Sequence, residues 1–218
     1  MNALSFELRT PLSAWATGGV SIVPTQPVPT WSAIVGMIGA ALGIERGDDR
    51  LVRLAQDFAL AIRVDRHGQR MEDLHTIQTP SKSMPQVTRA RTRFQELAMD
   101  CEDAEKRKYV EANRTVTQRE YMADAVYTLF LVQMSDTPVN SLAEIQAAFL
   151  RPVYPLFAGR RSCIIGRIQA NEVDADVVES ATHWDQRIAL KKPARLITER
   201  RDLLVGNRMF GVRKECVA

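Results

Sequence analysis

The sequence predicts an α+β fold of the split βαβ, ferredoxin-like kind, with an arm inserted between its two halves. Three observations carry this. Leu4, Phe6 and Leu8 alternate with Ser5, Glu7 and Arg9, the period of a half-buried strand. Pro29 to Ile44, PTWSAIVGMIGAALGI, contains no charge in a chain that is 25% Asp, Glu, Lys and Arg, and its apolar residues recur at helical spacing. Leaving the arm aside, the elements run strand, helix, strand, strand, helix, strand, with further strands toward the end. RNA-recognition modules share this order with many enzymes, so fold alone assigns no function.

The first strand covers Leu4–Arg9. Thr10 to Pro29 reads as loop, with four prolines, the Gly18-Gly19 pair and an exposed aromatic in Trp15. Thr30 then precedes the apolar run, and its hydroxyl is placed to accept from the first backbone N–H groups as an N-cap. Ile34, Val35, Ile38, Ala41 and Leu42 form one face of this helix, and Gly36, Gly39 and Gly43 form a groove without side chains. Two readings of the groove stand: tight packing on a sheet, or a helix start that faces a phosphate. Neither a Walker loop nor a dinucleotide fingerprint is spelled, because no lysine follows the glycines and no strand leads into them.

A short helix over Arg50–Gln56 and a strand over Phe58–Val64 follow, ending at the turn Asp65-Arg66-His67-Gly68; Arg70–Thr79 is a weaker strand that holds His75. Residues 80–113 show no clean period. Lys82, Arg89, Arg91 and Arg93 occur there with no acid among them, alternating in RARTR as along the edge of an extended strand. The segment reads as an insertion, either a solvated loop or a basic arm laid on a nucleic-acid backbone. Arg119–Met134 becomes strand at Ala125, apolar enough for a central position with both faces covered. Ser141 and Glu144 spell a capping box for a helix to Leu150, closed by Pro152 and Pro155. GRRSC, Gly159 to Cys163, is a glycine turn with two adjacent arginines. Asn171–Ser180 is acidic and surface exposed, Arg195–Thr198 is strand-like, and Met209–Val217 is a final strand.

With 218 residues and 45% hydrophobic content the chain can bury a real core. Three cysteines without a CxxC pair suggest neither a disulfide framework nor zinc, and His67, His75 and His183 lack ligand spacing, so no metal is expected. No signal peptide or membrane span is spelled, and a cytoplasmic, soluble protein is expected. Charge is uneven. Residues 1–150 hold 16 basic and 18 acidic side chains, and residues 151–218 hold 13 and 8, which points to a specific anionic partner rather than general adhesion to nucleic acid.

PTWSAIVGMIGAALGIERGDD, DLHTI around His75, TQREYMADAVYTLFL and PVYPLFAGRRSC, in that order, together with the terminal RMFGVRKE, resemble the CasD family of type I-E Cascade subunits, within the CRISPR-associated RAMP superfamily. The resemblance implies a single RAMP domain over 1–218, with 80–113 as an inserted β-hairpin thumb. It implies a non-catalytic subunit without cofactors that caps the 5′ handle of the CRISPR RNA (crRNA). Its neighbours would be the Cascade backbone subunit and the large PAM-reading subunit, with target DNA reached only through the complex. The thumb text MPQVTRARTRFQ does not align residue by residue, and Trp31 interrupts the small-residue opening of the helix.

An RNA handle offers phosphates, 2′-hydroxyls and unstacked bases, which arginine forks, backbone N–H groups and aromatic faces recognise. The candidates of this kind are Trp31, Ser32, His75, Lys82, Arg89, Arg91, Arg93, Arg119, Tyr121, Arg160 and Arg161. Two alternatives remain at this point. One is a metal-independent endoribonuclease that processes CRISPR repeat RNA, with His75, Tyr121 and Arg119 or Lys82 moving protons. The other is a scaffold whose basic face docks an acidic protein.

Overall fold

In the computed structural model the N-terminal alternation extends into a twelve-residue strand, β1 (Asn2–Ser13). The structure describes residues 2–16, 18, 21–78, 114–174, 178, 180–189, 196–203 and 210–217. The elements after β1 are β2 (Ile22–Val23), α1 (Trp31–Leu42), α2 (Asp49–Asp57), β3 (Phe58–Arg66), β4 (Gln69–Gln78), β5 (Arg114–Gln133), α3 (Leu142–Leu150), β6 (Ala170–Asp174), β7 (His183–Asp185), α4 (Gln186–Ala189), β8 (Leu196–Leu203) and β9 (Phe210–Val217). By internal contacts they fall into two units: residues 1–18, 24–71 and 120–218, and residues 19–23 and 72–119.

In the larger unit the strands are ordered β6-β1-β5-β3-β7-β9-β8. β5 lies between β1 and β3 and is antiparallel to both, with Leu8 opposite Tyr127 and Val64 opposite Tyr127 on its other side. β1 and β3 therefore run parallel, joined through α1 with a strand inserted between them, and β6 closes the outer side of β1. This is the split βαβ, ferredoxin-like arrangement expected from the sequence. β5 is central because nearly every residue from Ala125 to Val132 is buried, so no face had to carry polar residues.

One face of the sheet is covered by helices. Leu4, Phe6, Leu8, Leu60, Ile62, Leu129 and Leu131 share a core with Ile34, Val35 and Ile38 of α1 and Ile145 and Phe149 of α3. The Phe6 and Phe149 rings stand 4.9 Å apart. The capping box forms as spelled: Ser141 Oγ accepts from the Glu144 N–H at 3.2 Å, and the Ser141 N–H donates to Glu144 at 2.8 Å. These bonds, with Asn140, hold the Glu144 carboxyl below its usual range.

The opposite face is covered too. Ala61, Phe130 and Val132 form a second buried cluster with Val178 and Ala181, against which Trp184 packs. β7 and α4 fix this cover. Arg187 pairs with Asp185 and donates to the Gln56 and Phe58 carbonyls at 3.0 and 2.7 Å, where α2 meets β3.

Several expectations need correction. Thr10–Ser13 continues β1 rather than opening a loop; its ladder skips Pro11, which has no N–H, opposite Asp124, whose φ is +57°. Trp15 is fully buried, with Thr25 Oγ1 accepting from its backbone N–H at 2.8 Å. Thr30 occupies the N-cap of α1 but its side chain makes no capping bond; its Oγ1 faces Ser32 Oγ at 3.5 Å. The three glycines form no common groove. Gly36 faces open space, a Cβ on Gly39 would press on Leu51 of α2 at 2.5 Å, and Gly43 takes the left-handed C-cap at φ +74°. β5 starts at Arg114, well before Ala125, and β8 runs on to Leu203. Part of the acidic segment at 171–180 is the exposed edge strand β6.

Candidate nucleic-acid interface

RNA-recognition modules read bases on the open face of their sheet with exposed aromatics. That surface is not presented here. Phe130, at the middle of the central strand, is buried in the second cluster, and Arg9, Arg63 and Arg66 on this sheet each have an acidic neighbour. Arg9 pairs with Glu7, Arg63 with Asp65 at 2.6 Å, and Arg66 with Asp124 at 3.9 Å. Thr128 links Arg63 to Asp65 in the same network.

The other group of predicted residues gathers where β1 ends. There the Ala14 N–H donates to the Ala158 carbonyl at 3.0 Å, tying the loop that follows α3 to the sheet. This loop closes on itself. The Ala158 N–H donates to the Cys163 carbonyl at 2.8 Å, the Cys163 N–H to the Arg160 carbonyl at 2.9 Å, and Phe157 bridges to Ile164. Gly159 sits at the bend with φ +85°, and a Cβ there would run into the Ala14 carbonyl oxygen. Only glycine satisfies both conditions. Cys163 points inward and is fully buried, and that burial pushes its thiol up, opposed by its bond to Ser162. The thiol is an anchor of the loop, held neutral.

The paired arginines thereby acquire different surroundings. Arg160 folds back: Nη1 donates to the Tyr121 hydroxyl, and Cζ stands 5.5 Å from the centroid of the Tyr121 ring. Tyr121 is itself buried, so its ring supports Arg160 rather than offering an open stacking face. Arg161 is exposed, and it forms no ion pair among the described residues.

The chain leading to α1 is tied to the same end of β5. Glu120 accepts from the Thr25 N–H at 3.1 Å and pairs with Arg70 at 3.3 Å, and the Tyr127 hydroxyl donates to the Pro27 carbonyl at 2.7 Å. Trp31 is buried at the first position of α1 and Ser32 is half-buried; no acidic residue lies in the first turn.

In the smaller unit, β2 pairs parallel with β5, Ile22 opposite Gln118 and Val23 opposite Arg119. His75 is exposed on β4, its carbonyl accepting from Thr117 Oγ1 at 3.3 Å. Arg119 is half-buried, and its Nε has no hydrogen-bond partner among the described residues. Lys82, Arg89, Arg91 and Arg93, and the 80–113 segment as a whole, lie outside the described residues. No group of three His, Cys, Asp or Glu side chains gathers among the described residues, and none of the described helices is long and apolar enough to cross a membrane.

Sequence reasoning passed over Ile164 and Arg167, both exposed on the loop that carries Arg161. A signal was available. Residues 145–171 contain four arginines and no carboxylate in a chain where acids are otherwise frequent.

Fold and loop together define a ferredoxin-like α+β protein with a pinned arginine loop beside the helix-covered core. Over residues 3–205 the chain matches the family model described as CRISPR-associated protein (Cas_Cas5), and it belongs to that family. It is 29% identical over 180 residues to the CRISPR system Cascade subunit CasD of Escherichia coli (strain K12), covering 78% of this chain and 72% of that protein. Among solved structures it is similar to a chain of a CRISPR RNA-guided surveillance complex, with a TM-score of 0.67 and 24% identity over 98% of this chain and 89% of that one. A second, titled crystal structure of Cas protein, gives a TM-score of 0.59 and 18% identity over 99% and 94%. The resemblance to CasD read from the sequence is borne out.

Proposed function

We propose that this chain is a non-catalytic subunit of a CRISPR Cascade surveillance complex, which binds and caps the 5′ handle of the crRNA beside the backbone and large subunits. The observation that carries this is the family match over nearly the whole chain, supported by the Cascade subunit relative. The Gly159–Cys163 turn supplies the chemistry. Backbone bonds hold its shape before RNA arrives, Arg161 is exposed with no ion pair among the described residues, and Arg160 is held by Tyr121. Pre-ordering lowers the entropy lost on binding, and a charged fork suits phosphate.

The wider arrangement belongs to the same proposal: one RAMP domain, 80–113 as its thumb with Lys82, Arg89, Arg91 and Arg93 along RNA, and further contacts from Trp31, Ser32, His75 and Arg119. Binding without catalysis is favoured over repeat-RNA cleavage because Tyr121, one of the proton-transfer candidates, is buried and so poorly placed to reach a bound substrate.

The test is to co-express the chain with its neighbouring gene products, purify through a tag on it and sequence the accompanying RNA. A uniform RNA with a repeat-derived 5′ end in a multi-subunit particle is expected. A lone protein without RNA defeats the proposal, and cleavage of added repeat RNA by the purified chain replaces it with the nuclease.

A further inference from the structure

We propose that the loop following the arginine turn holds one nucleotide step of the bound strand, with Arg161 and Arg167 on successive phosphates and Ile164 against the base between them. This rests on the RNA-binding reading above and names residues it did not contain. From Cys163 onward, Cys163, Ile165 and Ile168 turn toward the core, while Ile164, Gly166 and Arg167 turn to solvent beside exposed Arg161 and Ser162. Ile164 is 73% exposed, the most exposed of the large apolar side chains among the described residues. It is not on a loose tip: its bridge to Phe157 and the bonds around Cys163 fix it. A single exposed isoleucine is ordinary on a protein surface. One held in a short loop, with an exposed arginine three residues to either side in the chain and neither in an ion pair among the described residues, offers an apolar side chain with positive charge close by. A nucleotide has the complementary layout, an apolar base face flanked by phosphates.

Charge decides the occupant. No carboxylate occurs from 145 to 171, and Arg9, Arg63 and Arg66 on the sheet are each matched to an acid, so the positive charge without an ion pair among the described residues includes this loop. Gly166 adds room: a Cβ built there meets nothing within 4 Å, so a sugar or phosphate can come close to the backbone.

The experiment uses the co-expressed particle and follows cleavage of the 5′-terminal segment of its own RNA by a single-strand-specific ribonuclease as salt is raised. Arg167→Ala and Arg161→Ala are each expected to raise the cleavable fraction about tenfold. Each should also lower the log–log salt dependence by about 0.7, the share of one phosphate contact. Arg167→Lys should recover most of the salt dependence. Ile164→Ser should raise the cleavable fraction roughly threefold at every salt without changing that dependence, because an apolar contact releases no counterions. Wild-type protection in all the variants overturns the inference and leaves the handle-binding proposal intact. Loss of the subunit from a particle whose RNA stays protected overturns it in favour of a protein contact. A wild-type particle without RNA defeats the reading on which it rests.

Discussion

Arg160 and Arg161 are adjacent and chemically identical, yet they are expected to respond differently to mutation. Tyr121→Phe keeps the ring beneath Arg160 and removes the oxygen it donates to; the half-exposed guanidinium regains water, so the expected cost is about 1 kcal/mol in a denaturation midpoint. Arg160→Ala should cost at least as much, whereas Arg161→Ala should leave stability unchanged and act on RNA retention. Equal stability losses for the two would show that the turn does not divide their roles. Gly159→Ala combines a positive φ with a clash against backbone that cannot swing aside, and a loss above about 2 kcal/mol is expected in chemical denaturation. The sequence marks GRRSC as a glycine turn with two arginines. It does not say which arginine folds back, because the partner, Tyr121, lies 39 positions away.

Helices make the clearest contrast between what spacing can and cannot say. The capping box of α3 is local to four residues and forms as spelled. Ser141→Ala should cost about 1 kcal/mol in thermal denaturation. Glu144 adds a pH signature. Its carboxyl is held below the ordinary glutamate range by the Ser141 N–H and Asn140, so its contribution is present above that range and is lost as pH falls through its folded pKa. The stability gap between wild type and Glu144→Gln should therefore shrink below about pH 4, and a gap that is constant from pH 7 to 3 would contradict the cap. In α1 the glycines look alike in sequence and differ in the fold. Gly36 meets nothing, so Gly36→Ala should stabilise the chain by about 0.5–1 kcal/mol, seen as a raised melting temperature. Gly43, at φ +74° against Val153, should tolerate no such change.

The distribution of charge is the property of the whole molecule that bears most on function. Arg9, Arg63 and Arg66 on the sheet pair with Glu7, Asp65 and Asp124, and the exposed arginines of the loop pair with no acid among the described residues. Arg9→Ala, on the sheet, is expected to leave the RNA-to-protein ratio of the purified particle within about twofold of wild type, since its charge is already paired with Glu7. A large loss would move the interface to the sheet. The sequence by itself determined what depends on neighbours in the chain: the alternation of β1, the apolar run of α1, the capping box of α3, the continuous apolar run of the central strand, the glycine turn, and, through its spelled segments, the family. Only the tertiary structure decided what depends on residues distant in the chain. Val178 and Trp184 close the face that RNA-recognition modules leave open, and Trp15 is buried by a loop that reads as exposed. Tyr121 ties down one arginine of a pair and leaves the other to solvent. Periodicity reports which side of an element is apolar, and it carries no information about which distant side chain will cover that side or pair with a charge on it.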